Sequence, residues 1–307
     1  MDEKSVENLV AAVEHGSDRI SHISIENVNG SAIGKLAAAL QHPLPTLNSF
    51  FLISDGDSAP ELPETFLGGS APDLEYFELS GIQFPTFPEF ILSFTHVRYL
   101  HISEIQYISP NTLAVCLAAL PNLENLYISF TSGPCQVTPP RTRIALPALT
   151  KLSFTVISQY FEDFVAQIDT PLLYEFNVCF IMDVTLFTDV ILEYLDVPQF
   201  RQFIGHAERL KPLGQAVVEF HDQGISISDS DGPGFPYRFK IRGDMPHWRP
   251  YMHSMAQTFR QQLSFLSHVE QLVIVIAEGC PSHLEWLDDS DVHSWKPPAL
   301  VPTHNPT

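Results

Sequence analysis

The most constraining feature of this chain is a short apolar motif that recurs along its length. Eight segments carry apolar residues at positions i, i+3 and i+5, and a weaker copy has alanine in the middle. The first seven copies lie 27, 27, 23, 26, 26 and 24 residues apart. In chain order the segments are Ile20/Ile23/Ile25, Leu47/Phe50/Leu52, Leu74/Phe77/Leu79, Val97/Leu100/Ile102, Leu123/Leu126/Ile128, Leu149/Leu152/Phe154, Leu173/Phe176/Val178, the weaker Leu213/Ala216/Val218, and Val269/Leu272/Ile274. Self-similarity at such a period predicts stacked structural repeats.

A second pattern, with apolar residues at i, i+3, i+4 and i+7, precedes the strand-like motifs. This is the spacing of one helix face, whereas a strand alternates. The matching segments are Val6/Leu9/Val10/Val13, Ile33/Leu36/Ala37/Leu40, Phe87/Phe90/Ile91/Phe94, Leu113/Cys116/Leu117/Leu120, Phe161/Phe164/Val165/Ile168, Phe200/Phe203/Ile204/Ala207 and Met252/Met255/Ala256/Phe259. The predicted unit is therefore helix, turn and strand, and stacking the units buries one continuous core.

The period and the strand motif together are typical of leucine-rich repeats. We therefore predict an α/β fold, an irregular leucine-rich-repeat solenoid with a parallel concave sheet and convex helices. Irregularity is expected because the usual Asn or Cys at i+8 is missing. The residues found there are Val28, Asp55, Ile82, Ile105, Thr131, Ile157, Ile181 and Ala277.

The repeat pattern is interrupted between the last two motifs. Residues 217–243 alternate with period two around Gly- and Asp-rich turns, which predicts an inserted β-hairpin or small antiparallel sheet. The tail 296–307 is Pro-rich and aperiodic, and we expect it to be disordered. The predicted organisation is a solenoid over residues 1–295 followed by this tail.

Charge and composition limit the classes of partner. The chain has 16 basic and 36 acidic residues, a formal net charge of −20, so we expect neither nucleic acid nor an anionic membrane as partner. The acidic surplus keeps a long solenoid in solution, or alternatively steers basic proteins toward it. The N-terminus does not resemble a secretory signal, and the four cysteines show no paired spacing. An intracellular location, cytoplasmic or nuclear, is predicted.

Few patterns in the sequence point to chemistry. The serine-hydrolase elbow, the HExxH zinc motif, the phosphate-binding loop and the CxxC pair are all missing. Asp229 opens a stretch that resembles a calcium loop, but Lys240 stands where the bidentate glutamate is required. We therefore predict no catalysis, no cofactor and no metal site. The alternative is a hydrolytic enzyme that uses the His- and Asp-rich residues 221–253.

The repeats instead define a surface. If i, i+3 and i+5 face the core, then i+2, i+4 and i+6 face the opposite side of the sheet, where solenoids bind proteins. The candidate partner-binding residues are Phe51, Tyr76, Glu78, Tyr99, His101, Asn125, Tyr127, Ser153 and Asn177. Aromatic residues among polar ones are typical of interface anchors. Alternatively, they stabilise neighbouring strands without binding anything.

Several segments carry a family resemblance. These are residues 62–74, Leu79-Ser80-Gly81-Ile82, Tyr107-Ile108-Ser109-Pro110, Leu146-Pro147-Ala148-Leu149-Thr150 and residues 168–173. In combination they resemble the leucine-rich-repeat F-box proteins that are expanded in mushroom-forming fungi. The resemblance covers roughly residues 5–290.

In that family an F-box binds the Skp adaptor of a cullin ubiquitin ligase, and the repeats select a protein target. The resemblance thus implies the target-recognition half of a ligase subunit. Here Ser5 to Leu9 resembles the first helix after the F-box. We accordingly expect binding to the Skp adaptor only if an F-box is restored upstream. The alternative is a truncated or nonfunctional paralogue.

Overall fold

The computed structural model describes a large sheet with helices packed along it. It describes residues 3–28, 30–54, 62–63, 66–69, 71–82, 91, 94–105, 107–130, 143–181, 199, 202–203, 215–221, 224–229, 237–242 and 271–276. The helices are α1 (Glu3–Gly16), α2 (Gly30–Ala39), α3 (Pro110–Ala118) and α4 (Ser158–Val165), with 3-10 turns at Ser17–Arg19 and Phe66–Gly69. The strands are β1 (His22–Val28), β2 (Ser49–Ser54), β3 (Tyr76–Ser80), β4 (Tyr99–Ile105), β5 (Asn125–Phe130), β6 (Ile144–Ala145), β7 (Lys151–Val156), β8 (Ile168–Asp169), β9 (Glu175–Ile181), β10 (Gln215–His221), β11 (Gly224–Asp229), β12 (Tyr237–Arg242) and β13 (Gln271–Ile276).

The predicted parallel sheet is confirmed for the first seven motifs. Strands β1, β2, β3, β4, β5, β7 and β9 lie side by side in chain order, each parallel to the next. Their apolar residues pair in register, so that Phe77 lies beside Leu100, and Leu126 beside Leu152. The sheet does not close on itself. The fold is therefore α/β with an open parallel sheet.

The strands of the interrupted region continue the same sheet. Strand β12 pairs in parallel with β9, β11 lies antiparallel between β12 and β10, and β13 is parallel to β10. The antiparallel strands span much of the segment in which we predicted a hairpin. The predicted disordered tail, residues 296–307, lies outside the described residues.

A tight turn, which in most cases contains proline, precedes strands β2, β3, β4, β5, β7 and β9. An N–H···O=C bond closes each turn across three residues, from Leu47 to Leu44 (3.1 Å) and from Leu123 to Leu120 (3.2 Å), for example. The same bond recurs from Leu74 to Ala71, Val97 to Phe94, Leu149 to Leu146 and Leu173 to Thr170. Proline is the second residue of most of these turns, where its fixed φ favours the geometry.

Backbone bonds also join each repeat to the next just before the strand. The carbonyl of Glu75 accepts from the N–H groups of Arg98 (2.9 Å) and Tyr99 (3.0 Å), and the Arg98 carbonyl accepts from the following repeat. This pattern recurs from Ser21 to Thr150. It holds successive strands in register at the amino end of the sheet.

One face of the sheet forms the core together with the helices. The burial of β2, β5 and β7 alternates strictly between half-buried and buried positions. The buried positions belong to one apolar cluster that includes Leu36 of α2, Leu117 of α3 and Phe161 of α4. Nine residues of the central motifs, which we predict to face the core, are at most 3% exposed: Leu74, Phe77, Leu79, Leu100, Ile102, Leu126, Ile128, Leu152 and Phe154. Alternation with period two explains why one face is apolar.

The helix predictions hold except at the C-terminal position of three segments. Helices α1 to α4 coincide with the first, second, fourth and fifth of the predicted helical segments, but α2 ends at Ala39 and α3 at Ala118, so that Leu40 and Leu120 lie just beyond them. Ile168, assigned above to the end of a helix, instead forms strand β8 with β6. The helix ends at Val165, and the N–H of Gln167 closes its last turn by donating to the carbonyl of Phe164 at 2.9 Å. The remaining helical segments lie wholly or largely outside the described residues.

Candidate binding face of the sheet

The predicted site residues lie on the face of the sheet opposite the helices. We call this the open face; it carries the half-exposed positions of β1 to β5, β7 and β9. The register aligns a central row across these strands: Ser24, Phe51, Glu78, His101, Tyr127, Ser153 and Asn177. A second row, nearer the amino ends of the strands, contains His22, Ser49, Tyr76, Tyr99, Asn125, Lys151 and Glu175. The predicted residues therefore form two adjacent rows.

Two tyrosines of the second row are stacked on each other. The rings of Tyr76 and Tyr99 lie 4.3 Å apart, centroid to centroid, with their planes only 8° from parallel. Loss of solvent around the phenol, together with the neighbouring Tyr99, raises the pKa of Tyr76 above its ordinary value. The stacking contact between the two rings holds both side chains in place before any partner arrives.

Three polar and aromatic groups meet in the central row. Nδ1 of His101 lies 3.3 Å from Oε1 of Glu78, and the His101 and Tyr127 rings are 4.0 Å apart at 51°. Burial lowers the pKa of the His101 imidazole, and the Glu78 carboxylate opposes that shift. At neutral pH the imidazole is therefore uncharged, and it lies close to the carboxylate without neutralising it.

A charged cluster at the amino edge of the sheet was not predicted from the sequence. Arg98 donates to Oε1 of Glu124 through Nε (3.0 Å) and through a terminal nitrogen (2.6 Å). Glu75, from the repeat before, lies 3.8 Å from the same guanidinium, whose carbon is 6.0 Å from the Tyr99 ring centroid. The position directly after the first residue of the motif holds Glu75, Arg98 and Glu124 in successive repeats. This alternation of charge is the sequence pattern that could have predicted the ion pairs.

Two further second-row positions complete the site. Nζ of Lys151 lies 2.5 Å from Oε2 of Glu175 on the next strand, so this cation is neutralised by a neighbour. Asn125 lies between Tyr99 and Lys151 in register, and its buried amide oxygen accepts no hydrogen bond from the described residues. Such an oxygen costs free energy until a donor is supplied.

Most of residues 221–253, which the enzymatic alternative would use, lie outside the residues that the structure describes. His221 ends β10 and Asp229 ends β11, while His247 and His253 are not described. Among the residues that the structure does describe, no group of His, Cys, Asp and Glu could hold a metal ion. Across the same residues, the helices are too short or too polar to span a bilayer.

Comparison of the chain with known protein families, with curated proteins and with solved structures finds no match.

The burial of His101 predicts that the free energy of unfolding depends on pH. We expect its imidazole to titrate below the ordinary value of about 6.5, since burial disfavours the charged ring. The unfolded chain then takes up this proton at higher pH than the folded one. This group therefore lowers the free energy of unfolding as pH falls from about 6.5 through the folded pKa, with no effect above that window.

NMR titration of the imidazole nitrogens, with urea unfolding at pH 7.5 and 5.5, measures both effects. The variant Glu78→Gln should lower the pKa of His101 further, because the carboxylate is what opposes the shift. A pKa at or above the ordinary value, or a rise in the variant, contradicts this account.

Proposed function

We propose that this chain is a leucine-rich-repeat protein-binding module that recognises its partner on the open face. The observation that carries the proposal is the pair of aligned rows. They place Phe51, Tyr76, Tyr99 and Tyr127 on neighbouring strands of one half-exposed surface. Aromatic side chains on a rigid sheet contribute large contact areas at low entropic cost.

The leucine-rich-repeat part of the proposal is supported by the repeating unit. Each unit consists of a turn closed by a backbone hydrogen bond, a strand, and a backbone hydrogen bond to the next unit. These units recur at the spacing found in the sequence. Helices pack on the apolar face of the sheet, which leaves the other face for binding. In solenoids such a face is the extended binding surface.

The aromatic groups are also arranged in advance. The Tyr76–Tyr99 stack and the His101–Tyr127 contact restrict the rotamers of these side chains before binding. Less conformational entropy is then lost when a partner binds. Ordering a mobile side chain costs affinity, so rings already held by neighbours favour a binding role.

The resemblance to F-box proteins extends the proposal. Joined to an F-box that binds the Skp adaptor, the open face would choose the protein to be ubiquitinated. Binding to the adaptor is expected only of a chain that carries that module.

Removal of two anchors tests the binding role. We expect Tyr99→Ala/Tyr127→Ala to weaken capture of the partner by roughly thirtyfold or more, since each anchor contributes more than about 1 kcal/mol. Quantitative affinity capture from a fungal extract compares wild type, the double variant and Val115→Ala. Val115 is 56% exposed on α3, on the helix side, so its truncation is the matched control.

The outcome separates binding from decoration. Proteins lost with the double variant and retained with the control support the proposal. An identical captured set, with melting temperatures unchanged, shows that the rows are structural and that the face binds nothing.

A further inference from the structure

The charged groups of the open face are unevenly distributed. In β1 to β5 its positions are His22, Ser24, Glu26, Ser49, Phe51, Ile53, Tyr76, Glu78, Ser80, Tyr99, His101, Ser103, Asn125, Tyr127 and Ser129. These described positions include two carboxylates and no lysine or arginine. Among the described residues, Arg98 beside Tyr99 is already held between Glu75 and Glu124. Lys151, farther along the sheet, is paired with Glu175. This half of the face is therefore anionic.

Glu78 lies at the centre of this anionic half, among aromatic rings. Phe51 flanks it in register on one side and His101, which contacts Tyr127, on the other. Tyr76 precedes it by two residues on the same face of β3 and stacks on Tyr99. The Glu78 side chain is 24% exposed, so a partner can reach it. A carboxylate with aromatic rings at the neighbouring positions attracts a cation by charge, and the rings offer cation–π contacts to the same group.

We infer that the partner of the open face docks a cationic side chain, lysine or arginine, on Glu78 between the Tyr76–Tyr99 stack and the His101–Tyr127 pair. This inference rests on the proposed function and names the chemistry of its partner. Charge complementarity selects this occupant: the whole chain carries a formal charge of −20, so a basic segment is attracted at long range and an acidic one is repelled. The imidazole of His101 lies 3.3 Å from Oε1 of Glu78, but burial keeps this ring uncharged, so it does not cancel the charge of the carboxylate that the incoming cation meets.

A displayed library of random 12-residue peptides provides the probe. Peptides are selected on the wild-type chain and those that also bind Tyr99→Ala/Tyr127→Ala are discarded, so that the survivors report the open face. We expect each survivor to contain a lysine or arginine whose replacement by norleucine weakens binding about tenfold or more, the scale of one charge-assisted contact. Glu78→Gln should cause a similar loss, and the two changes together should cost little more than either alone.

Controls keep the two proposals distinguishable. Glu7→Gln, at an exposed position of α1, should leave affinity unchanged. The norleucine peptides test the contact without altering the protein, so a folding defect in Glu78→Gln does not decide the result. Survivors that bind equally well without a cation, or equally well to a folded Glu78→Gln chain, overturn the cation inference while the binding face stands. If no peptide depends on the tyrosines, the proposed function itself fails.

Discussion

Truncating Phe77 to alanine should lower the free energy of unfolding by about 3–5 kcal/mol, the range for large aromatic side chains removed from a core. Phe77 is 1% exposed in the middle of β3. Its ring stacks on Phe50 of β2 at 5.8 Å and lies 5.1 Å from Phe94, while Phe50 also meets Phe66 edge-on at 5.3 Å. The cavity would open between two repeats, so the contact that couples them is lost along with the buried area.

Urea unfolding followed by circular dichroism measures this effect. Phe77→Leu is the control, because it keeps most of the volume and should cost clearly less. A loss below about 1 kcal/mol for the alanine variant would show that β2 and β3 are not tightly packed through this ring.

The strands were predictable because two constraints act on the same residues. Apolar side chains at i+3 and i+5, such as Leu126 and Ile128, must face one side of a strand. A slip of one residue would move them all to the other side, so burial fixes the register between repeats. The alignment of Glu78, His101 and Tyr127 in the central row followed from that argument and is confirmed.

The contacts within the site were not predictable to the same degree. The sequence places Tyr76, Tyr99 and Tyr127 in successive repeats, but Tyr127 stands one row away from the other two. Two tyrosines therefore stack on each other, and the third contacts His101. Which rings touch depends on side-chain rotamers, and repeat spacing contains no information on those.

The ion pairs at the amino edge and the short β6–β8 pair depend on turn geometry. Arg98 reaches Glu124 because the inter-repeat backbone bonds bring both turns side by side. Strand β8 forms where the α4 pattern predicted helix through Ile168, since the N–H of Ile144 instead bonds the carbonyl of Gln167 at 2.7 Å. Local periodicity cannot anticipate a pairing with a segment more than twenty residues away.

Truncation to alanine should lower the free energy of unfolding by very different amounts at two adjacent residues of β5. Leu126 is 2% exposed and faces the helices, so Leu126→Ala should destabilise the fold by about 2–5 kcal/mol through the cavity that it leaves. Tyr127 is half-exposed on the open face and its ring contact is with His101, so Tyr127→Ala should cost no more than about 1.5 kcal/mol. Thermal and urea unfolding of the two variants measure the difference.

Binding should show the reverse order. Tyr127→Ala removes a proposed anchor from a sheet that stays folded, whereas Leu126→Ala leaves the open face chemically intact in the molecules that remain folded. Measured at a temperature well below both melting points, affinity for a peptide selected on the open face should fall with Tyr127→Ala and hold with Leu126→Ala. Equal losses of affinity in both variants would mean that the two faces of the sheet are not energetically separate, because the binding surface would then depend on core packing as much as on its own side chains.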